Sequence, residues 1–159
     1  RLRQGLALLT AALYLGIAWL WISELMPGED RLMPLDGRFF GYTAQEGAAY
    51  VNALSDHARQ VYLNDARLLD TLFPISLTAL LSWMMLSRTN GRWRALAIIP
   101  LGFLTADLVE NARIAAILLA DAPAPQMFVA ASQATVAKFG LLMVSAIALG
   151  AVLVTTRRP

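Results

Sequence analysis

Four long apolar runs are the feature of this sequence that most limits how the chain can fold. They lie at about residues 5–26, 68–87, 95–120 and 127–155. Each has the length of about 20 residues that an α-helix needs to cross the hydrocarbon core of a bilayer. Because the backbone must satisfy its own hydrogen bonds in that core, such runs predict transmembrane helices. The sequence therefore predicts an all-α, four-helix transmembrane bundle.

Composition supports a single membrane domain covering residues 1–159. The chain is 58% hydrophobic and 15% charged, whereas soluble domains carry about 25% charged residues. No basic run is interleaved with aromatic residues, so we expect no nucleic-acid partner. The absence of cysteine excludes thiolate catalysis and cysteine metal sites. We predict no cofactor and no metal site, and we expect membrane lipids as partners, with a partner membrane protein or a homo-oligomer left open.

Arginine placement predicts the orientation in the membrane. The connection between the second and third runs holds Arg88, Arg92 and Arg94, and both ends of the sequence hold further arginines: Arg1, Arg3, Arg157 and Arg158. The connection between the third and fourth runs, DAPAPQ, has no basic residue. By the positive-inside rule, the arginine-rich side is cytoplasmic. We therefore expect a multi-pass protein of the bacterial inner membrane with both termini in the cytoplasm.

Residues 27–67 form a long segment that this orientation places on the outer face. Thr43 and Glu46 match a capping box, which marks the start of a helix. Apolar residues then recur at helical spacing as far as Leu69, with polar residues between them. The pattern predicts one amphipathic outer helix between spans 1 and 2, lying on the bundle or on the membrane surface. It either seals the bundle as a connector or forms part of a functional surface.

The third run carries the strongest functional signal. Asp107, Glu110 and Asn111 fall on one face of the predicted helix. Arg113 lies to one side and can reach Glu110 three residues away. On the insertion scale, an Asp, Lys or Arg at the centre of a span costs about 2.5–3.5 kcal/mol. This helix therefore needs neighbouring helices that pair or neutralise its ionisable groups.

The fourth run supplies a partner for these acids. Lys138 is the only lysine in the chain, and Thr135 shares its helical face. The third and fourth runs are antiparallel neighbours joined by a short connection, so the lysine is expected at nearly the depth of the acids. We predict that Lys138 pairs with Asp107 or Glu110.

The second run adds Asp70 near its outer end. Pro74 follows by one turn and leaves the Asp70 carbonyl without its usual helical donor, which predicts a local kink. The bundle is thus predicted to be polar toward its outer half, with a pocket that opens outward. The predicted intramembrane polar site consists of Asp70, Asp107, Glu110, Asn111, Arg113, Thr135 and Lys138.

Several short motifs occur together in this chain: GYT, LDTLFP, DLVEN and ASQATVAKF. Over residues 36–142 they resemble a widespread group of small four-span bacterial membrane proteins with the pattern GY…D..FP…D..EN…S..T..K. The resemblance implies the four-span fold but no activity. It implies a residue set that comprises Gly41, Tyr42, Asp70, Phe73, Pro74, Asp107, Glu110, Asn111, Ser132, Thr135 and Lys138.

Ionisable residues inside a membrane indicate function by default, because membrane segments otherwise rarely tolerate them. The leading hypothesis is a binding or accessory protein whose outward polar pocket holds a lipid-like or small amphiphilic ligand, or a partner helix. A small intramembrane enzyme using paired carboxylates is the first alternative. A structural subunit whose charges only set assembly is the second. A proton- or ion-coupled transporter is the third, and it would require a homo-oligomer.

Overall fold

The computed structural model describes residues 1–28 and 31–156, and this part of the chain is helical with no strand. The α-helices are α1 (Leu2–Leu20), α2 (Ala44–Ala53), α3 (Asp56–Val61), α4 (Arg67–Leu86), α5 (Ile99–Leu119) and α6 (Pro125–Thr155). Tighter or wider helical turns occupy Trp21–Leu25, Leu35–Gly37, Tyr62–Ala66 and Gly91–Ile98. Arg157 and Arg158, used above to predict orientation, lie outside the described residues.

Four helical stretches are long and apolar enough to cross a membrane: Leu2–Leu25, Asp56–Leu86, Gly91–Leu119 and Pro125–Thr155. The chain is therefore a multi-pass membrane protein, and the predicted all-α four-span fold is confirmed. Each span packs chiefly against its neighbour in the sequence, α1 on α4, α4 on α5 and α5 on α6. Many large apolar side chains of these helices are exposed, as expected of surfaces that face lipid.

Small polar side chains join α4 to α5 and to the helical turn Gly91–Ile98 that precedes it. Thr78 Oγ1 donates a hydrogen bond to the carbonyl of Pro100 at 3.2 Å, and Ser82 Oγ donates to the carbonyl of Ala97 at 2.8 Å. Hydrophobic association is weak between helices that are already in lipid, so such hydrogen bonds and close packing hold the helices together.

Residues 31–66 form a cap over one end of the bundle, which we call the cap side. The predicted capping box is present at the start of α2, where the Thr43 N–H donates to Glu46 Oε2 at 2.7 Å and the Glu46 N–H donates to Thr43 Oγ1 at 3.2 Å. These two bonds satisfy backbone donors that the first turn of a helix leaves without partners.

The outer segment contains two helices where the sequence predicted one. The backbone is extended at Leu54 and Ser55, and the Ser55 side chain accepts the N–H of Ala58 at 3.1 Å. This N-cap starts a new helix, α3, in a new direction. A π-helical turn at Tyr62–Ala66 then leads directly into α4. The second span is consequently the C-terminal part of a continuous helical stretch, Asp56–Leu86. This stretch begins before residue 68, where the sequence predicted the span to begin.

The largest buried apolar cluster lies between the cap and the cap-side parts of α5 and α6. Tyr50 is fully buried there, and its hydroxyl donates to the carbonyl of Leu25 at 2.7 Å. Other members of the cluster include Leu35, Val51, Tyr62, Ile117 and Phe128. Burial of such side chains contributes about 1.5–3 kcal/mol each. The cap is therefore a packed part of the fold.

The depth of the polar site follows from helix geometry. The stretches Asp70–Leu86 and Lys138–Thr155 measure about 24 and 26 Å at a rise of 1.5 Å per residue. The hydrocarbon core of a bilayer is about 30 Å thick. Lys138 is residue 14 of the 31 residues of α6, near the middle of this helix as the sequence predicted. Asp70 lies in the first turn of α4.

Candidate functional site

Lys138 is the centre of a buried polar site. Its Nζ forms an ion pair with Glu110 and a second one, at 3.5 Å, with Asp107 Oδ1. The lysine is 5% exposed, Asp107 is 2% exposed and Glu110 is fully buried. The pairing predicted between the third and fourth spans is present in the structure, and it involves both acids.

The cap contributes an acid that the sequence analysis missed. Asp36 lies in the helical turn Leu35–Gly37 and is 3% exposed. Its backbone carbonyl accepts a hydrogen bond from Lys138 Nζ at 3.1 Å, and its carboxylate accepts one from the Tyr62 hydroxyl at 2.5 Å. The available signal was an aspartate between Leu35 and Gly37 in a predicted turn. Local sequence alone does not say that this turn folds inward onto α6.

Asn111 links α5 to α4 where the proline interrupts α4. Pro74 has no N–H, so the carbonyl of Asp70 lacks its helical donor. The Asn111 side-chain amide donates to that carbonyl at 3.2 Å and to Asp107 Oδ2 at 3.3 Å. The sequence predicted the missing donor, and the structure supplies the amide that replaces it.

The cap is attached to α6 by a close approach at Gly41 and Tyr42. The Tyr42 N–H donates to Ser132 Oγ at 2.8 Å. Gly41 has a φ of +79°, and a Cβ at this position would lie 2.7 Å from Ser132 Oγ. Both the backbone conformation and the short approach therefore require glycine.

The Tyr42 phenol is a buried group without a hydrogen-bond partner among the described residues. Burial and the nearby Glu110 raise the pKa of this phenol well above its ordinary value of 10.0. The hydroxyl therefore stays protonated at neutral pH. The carboxylate oxygens of Glu110 likewise have no hydrogen bond within the described chain beyond the Lys138 ion pair.

Two predicted site residues have other roles. Arg113 is exposed, and its Nη1 donates to the carbonyl of Ala130 at 2.5 Å. Its predicted approach to Glu110 is not formed, because the guanidinium group binds the Ala130 carbonyl of α6 instead. Thr135 is fully buried beside the site, where its hydroxyl donates to the carbonyl of Ala131 at 3.2 Å.

The space next to the site is small. A cavity of about 10 Å³ lies against Asp36, Tyr62, Asp70 and Asn111, with Trp21 also on its wall. This volume holds about one water molecule. The outward pocket predicted from the sequence is covered by the cap in this structure. The acids of α5 converge on the ammonium of Lys138, not on open space.

Charge balance is the main electrostatic property of the site. Four buried carboxyl groups surround one ammonium group: Asp36, Asp70, Asp107 and Glu110. Fully ionised, these five groups would carry a net charge of 1 − 4 = −3. Uncompensated charge is expensive away from water, so a further positive charge would be favourable in the closed site. Within residues 1–28 and 31–156, no group of acids and histidines is arranged to hold a metal ion.

Comparison with protein-family models, curated proteins and solved structures finds no match to this chain. The resemblance to small four-span bacterial proteins therefore stays a prediction. The geometry and charge of the capped site are the basis for assigning a function.

Proposed function

We propose that this chain is an integral membrane binding or accessory protein whose capped site receives the cationic head of a small amphiphile. The observation that carries the proposal is the excess of buried carboxyl groups over ammonium groups around Lys138. An amine-bearing head would supply the missing positive charge and donate hydrogen bonds to carboxylate oxygens. The lipid-like ligand predicted from the sequence is thereby narrowed to one with a cationic head.

The position of the site suits an amphiphile. Asp70 and Lys138 lie about 24–26 Å along their helices from the ends opposite the cap, so an apolar layer about 30 Å thick that begins at those ends would have its cap-side boundary near them. A ligand whose tail stays among the lipids would bring its head to this depth. Arg88, Arg92 and Arg94 lie at the other end of the bundle, so the positive-inside rule assigns the cap to the non-cytoplasmic side.

Access to the site requires movement of the cap, because the present cavity holds about one water molecule. The polar contacts between the cap and the spans include Lys138 to the Asp36 carbonyl, the Tyr42 N–H to Ser132 and Arg59 to the Leu118 carbonyl. A cationic head that pairs with the acids would compete with Lys138 for them.

A binding titration tests the proposal. The protein in lipid nanodiscs would be titrated with dodecylamine, which is cationic at neutral pH, and with dodecyl sulfate of the same chain length. Trp21 lines the cavity, so its fluorescence reports on the site. We expect a saturable change with the amine only, and we expect it to disappear in Trp21→Phe.

Matched variants separate specific binding from partition into the bilayer. Asp70→Asn removes an acid at the cavity, whereas Asp65→Asn removes an exposed acid at the turn before α4. The proposal requires at least tenfold weaker binding in the first variant and unchanged binding in the second. An equal, unsaturable response in both folded variants would overturn it.

A second candidate is supported by the closed state of the site. The ion pairs and the Asn111 amide join α4, α5, α6 and the cap, so the network fixes helix pairing whatever else it does. A purely structural subunit needs no ligand. If Asp107→Asn combined with Lys138→Met gives a folded protein that still carries out its cellular role, the structural assignment replaces the binding one.

A further inference from the structure

We propose that the loop at Arg38–Phe40 inserts into the cap-side leaflet of the bilayer and that Arg38, with Arg31, binds the phosphate of a phospholipid. We call residues Arg38–Phe40 the aromatic tip. This site lies on the surface of the cap and is separate from the buried acids around Lys138. It goes beyond the proposed function and does not depend on it.

The depth of the aromatic tip is set by its contact with α6. The Phe39 ring stacks on Phe139 with ring centres 3.9 Å apart and an interplanar angle of 25°. Phe139 lies about 24 Å from the end of α6 at Thr155, counted at 1.5 Å per residue. Exposed Trp19 lies about 26 Å along α1 from Leu2. An apolar layer about 30 Å thick that begins at Leu2 and Thr155 would therefore end just beyond the tip and Trp19.

The side chains of the tip suit the bilayer interface better than water. Phe40 is 100% exposed and Phe39 is 59% exposed in the isolated chain. Aromatic rings are enriched at the level of the lipid headgroups, where apolar and polar environments meet. Transfer of an exposed phenylalanine side chain out of water is favourable. An exposed aromatic pair at this depth is explained by lipid contact.

Arg38 is held in place beside the tip. Its Nε and Nη2 both donate to the carbonyl of Met33, at 3.0 and 2.9 Å. Its guanidinium carbon lies 5.5 Å from the ring centre of Tyr42 and 5.7 Å from that of Tyr50. These contacts fix the plane of the guanidinium group while further N–H donors stay available. Among residues 1–28 and 31–156, no carboxylate forms an ion pair with Arg38.

A shallow groove of about 420 Å³ connects the two arginines and the tip. Arg31 lines it, and its Nη2 donates to the carbonyl of Ile22 at 2.9 Å. Glu46 also lines the groove, but its carboxylate accepts bonds from the Thr43 N–H and hydroxyl. Two guanidinium groups beside an apolar edge match a phosphate whose acyl chains continue into the membrane.

Site-specific labelling tests the insertion. The chain has no cysteine, so Phe40→Cys gives a unique position for an environment-sensitive fluorophore. In nanodiscs, we expect its emission to be quenched by a nitroxide attached near the lipid headgroup and protected from aqueous iodide. Asn52→Cys, on the exposed face of α2, is the matched control and should show the reverse. Quenching of the Phe40→Cys label by iodide alone would overturn the proposal.

Native mass spectrometry tests the phosphate. We expect one retained phosphatidylglycerol that is not replaced by a phosphate-free galactolipid with the same chains. Arg38→Gln should weaken retention about tenfold, whereas Arg94→Gln at the opposite end of the bundle should not. Displacement of the lipid by millimolar inorganic phosphate would assign the site to free phosphate and overturn lipid binding. Equal retention of both lipids would also overturn it.

Discussion

The ammonium of Lys138 donates a hydrogen bond to the backbone carbonyl of Asp36 at 3.1 Å, although the two residues are 102 positions apart. The same nitrogen pairs with Asp107 and Glu110 on α5. One side chain therefore compensates the acids inside the bundle and holds the cap above them. Stability of the bundle and closure of the cap are coupled through this lysine.

Lys138→Met is expected to destabilise the protein by about 3–5 kcal/mol, because it leaves buried carboxylates without their cation. Unfolding in detergent, followed by far-UV circular dichroism, measures the loss. Adding Glu110→Gln to Lys138→Met should restore part of the stability by removing one of the unpaired charges. Unchanged stability in Lys138→Met would contradict the assigned role of the ion pairs.

Tyr62→Phe should loosen the cap without unfolding the bundle. The substitution removes the donor to Asp36 and leaves a buried carboxylate oxygen unsatisfied, which costs about 1–3 kcal/mol. Hydrogen–deuterium exchange should increase in residues 35–41 and stay unchanged in α6. Tyr14→Phe serves as the control, since Tyr14 is exposed on α1. Uniformly faster exchange along the chain would instead indicate global destabilisation.

Asn111 and Pro74 should show energetic coupling. In the native protein, the Asn111 amide satisfies the Asp70 carbonyl that Pro74 leaves free. Pro74→Ala restores the helical donor, so Asn111→Leu should cost about 1 kcal/mol less in that background than in the native one. A double-mutant cycle of unfolding free energies measures this difference and cancels the cavity that the alanine creates. Additive effects would show that the amide does not substitute for the helical donor.

Gly41→Ala should displace the aromatic tip and the adjacent cap from α6. The new Cβ would meet Ser132 Oγ at 2.7 Å in a left-handed backbone conformation. We expect a loss of about 1–3 kcal/mol. Gly140→Ala is the matched control, because a Cβ there meets nothing within 4 Å and alanine favours a helix. The contact is refuted if the two variants melt at the same temperature.

The first turn of α2 should lose protection in acid. Hydrogen bonds from the Thr43 backbone N–H and hydroxyl lower the pKa of Glu46 below its ordinary value of 4.5. The stabilisation is therefore present above that value and is lost as the pH falls through the lower pKa of the folded state. Exchange protection factors at about pH 6 and about pH 3 measure the effect. Glu46→Gln should remove the pH dependence, and its persistence would point to another group.

The four spans and the pairing of α5 with α6 could be predicted from the sequence. A long apolar run has few stable forms in lipid, and a lone lysine next to an acidic helix has few possible partners. The missing donor at Asp70 was also predictable, because it follows from the chemistry of Pro74. The replacement of that donor by Asn111 was not, since it depends on how α4 and α5 are rotated against each other.

The cap was only partly predictable. The capping box at Thr43 and Glu46 marked the start of α2, but the apolar spacing continued through Ser55 and suggested one helix. Asp36 and Tyr62 meet only because residues 31–41 fold back over the bundle. A turn has no periodic sequence pattern from which the contact between Asp36 and Tyr62 could be predicted. The predicted contact of Arg113 with Glu110 was wrong for a related reason. Helical spacing shows which partners a side chain can reach, but the packing of α5 against α6 determines that Arg113 binds the Ala130 carbonyl.

The order of the charged residues along the chain has a consequence for biosynthesis. Asp36, Asp70, Asp107 and Glu110 all leave the ribosome before Lys138, the only lysine. Until the last helix enters the membrane, the earlier segments must carry these carboxyl groups protonated or in contact with water. Insertion of the fourth helix is thus the step that allows the other three helices to assemble around the acids. A nascent chain that is arrested before Lys138 should be degraded by membrane proteases.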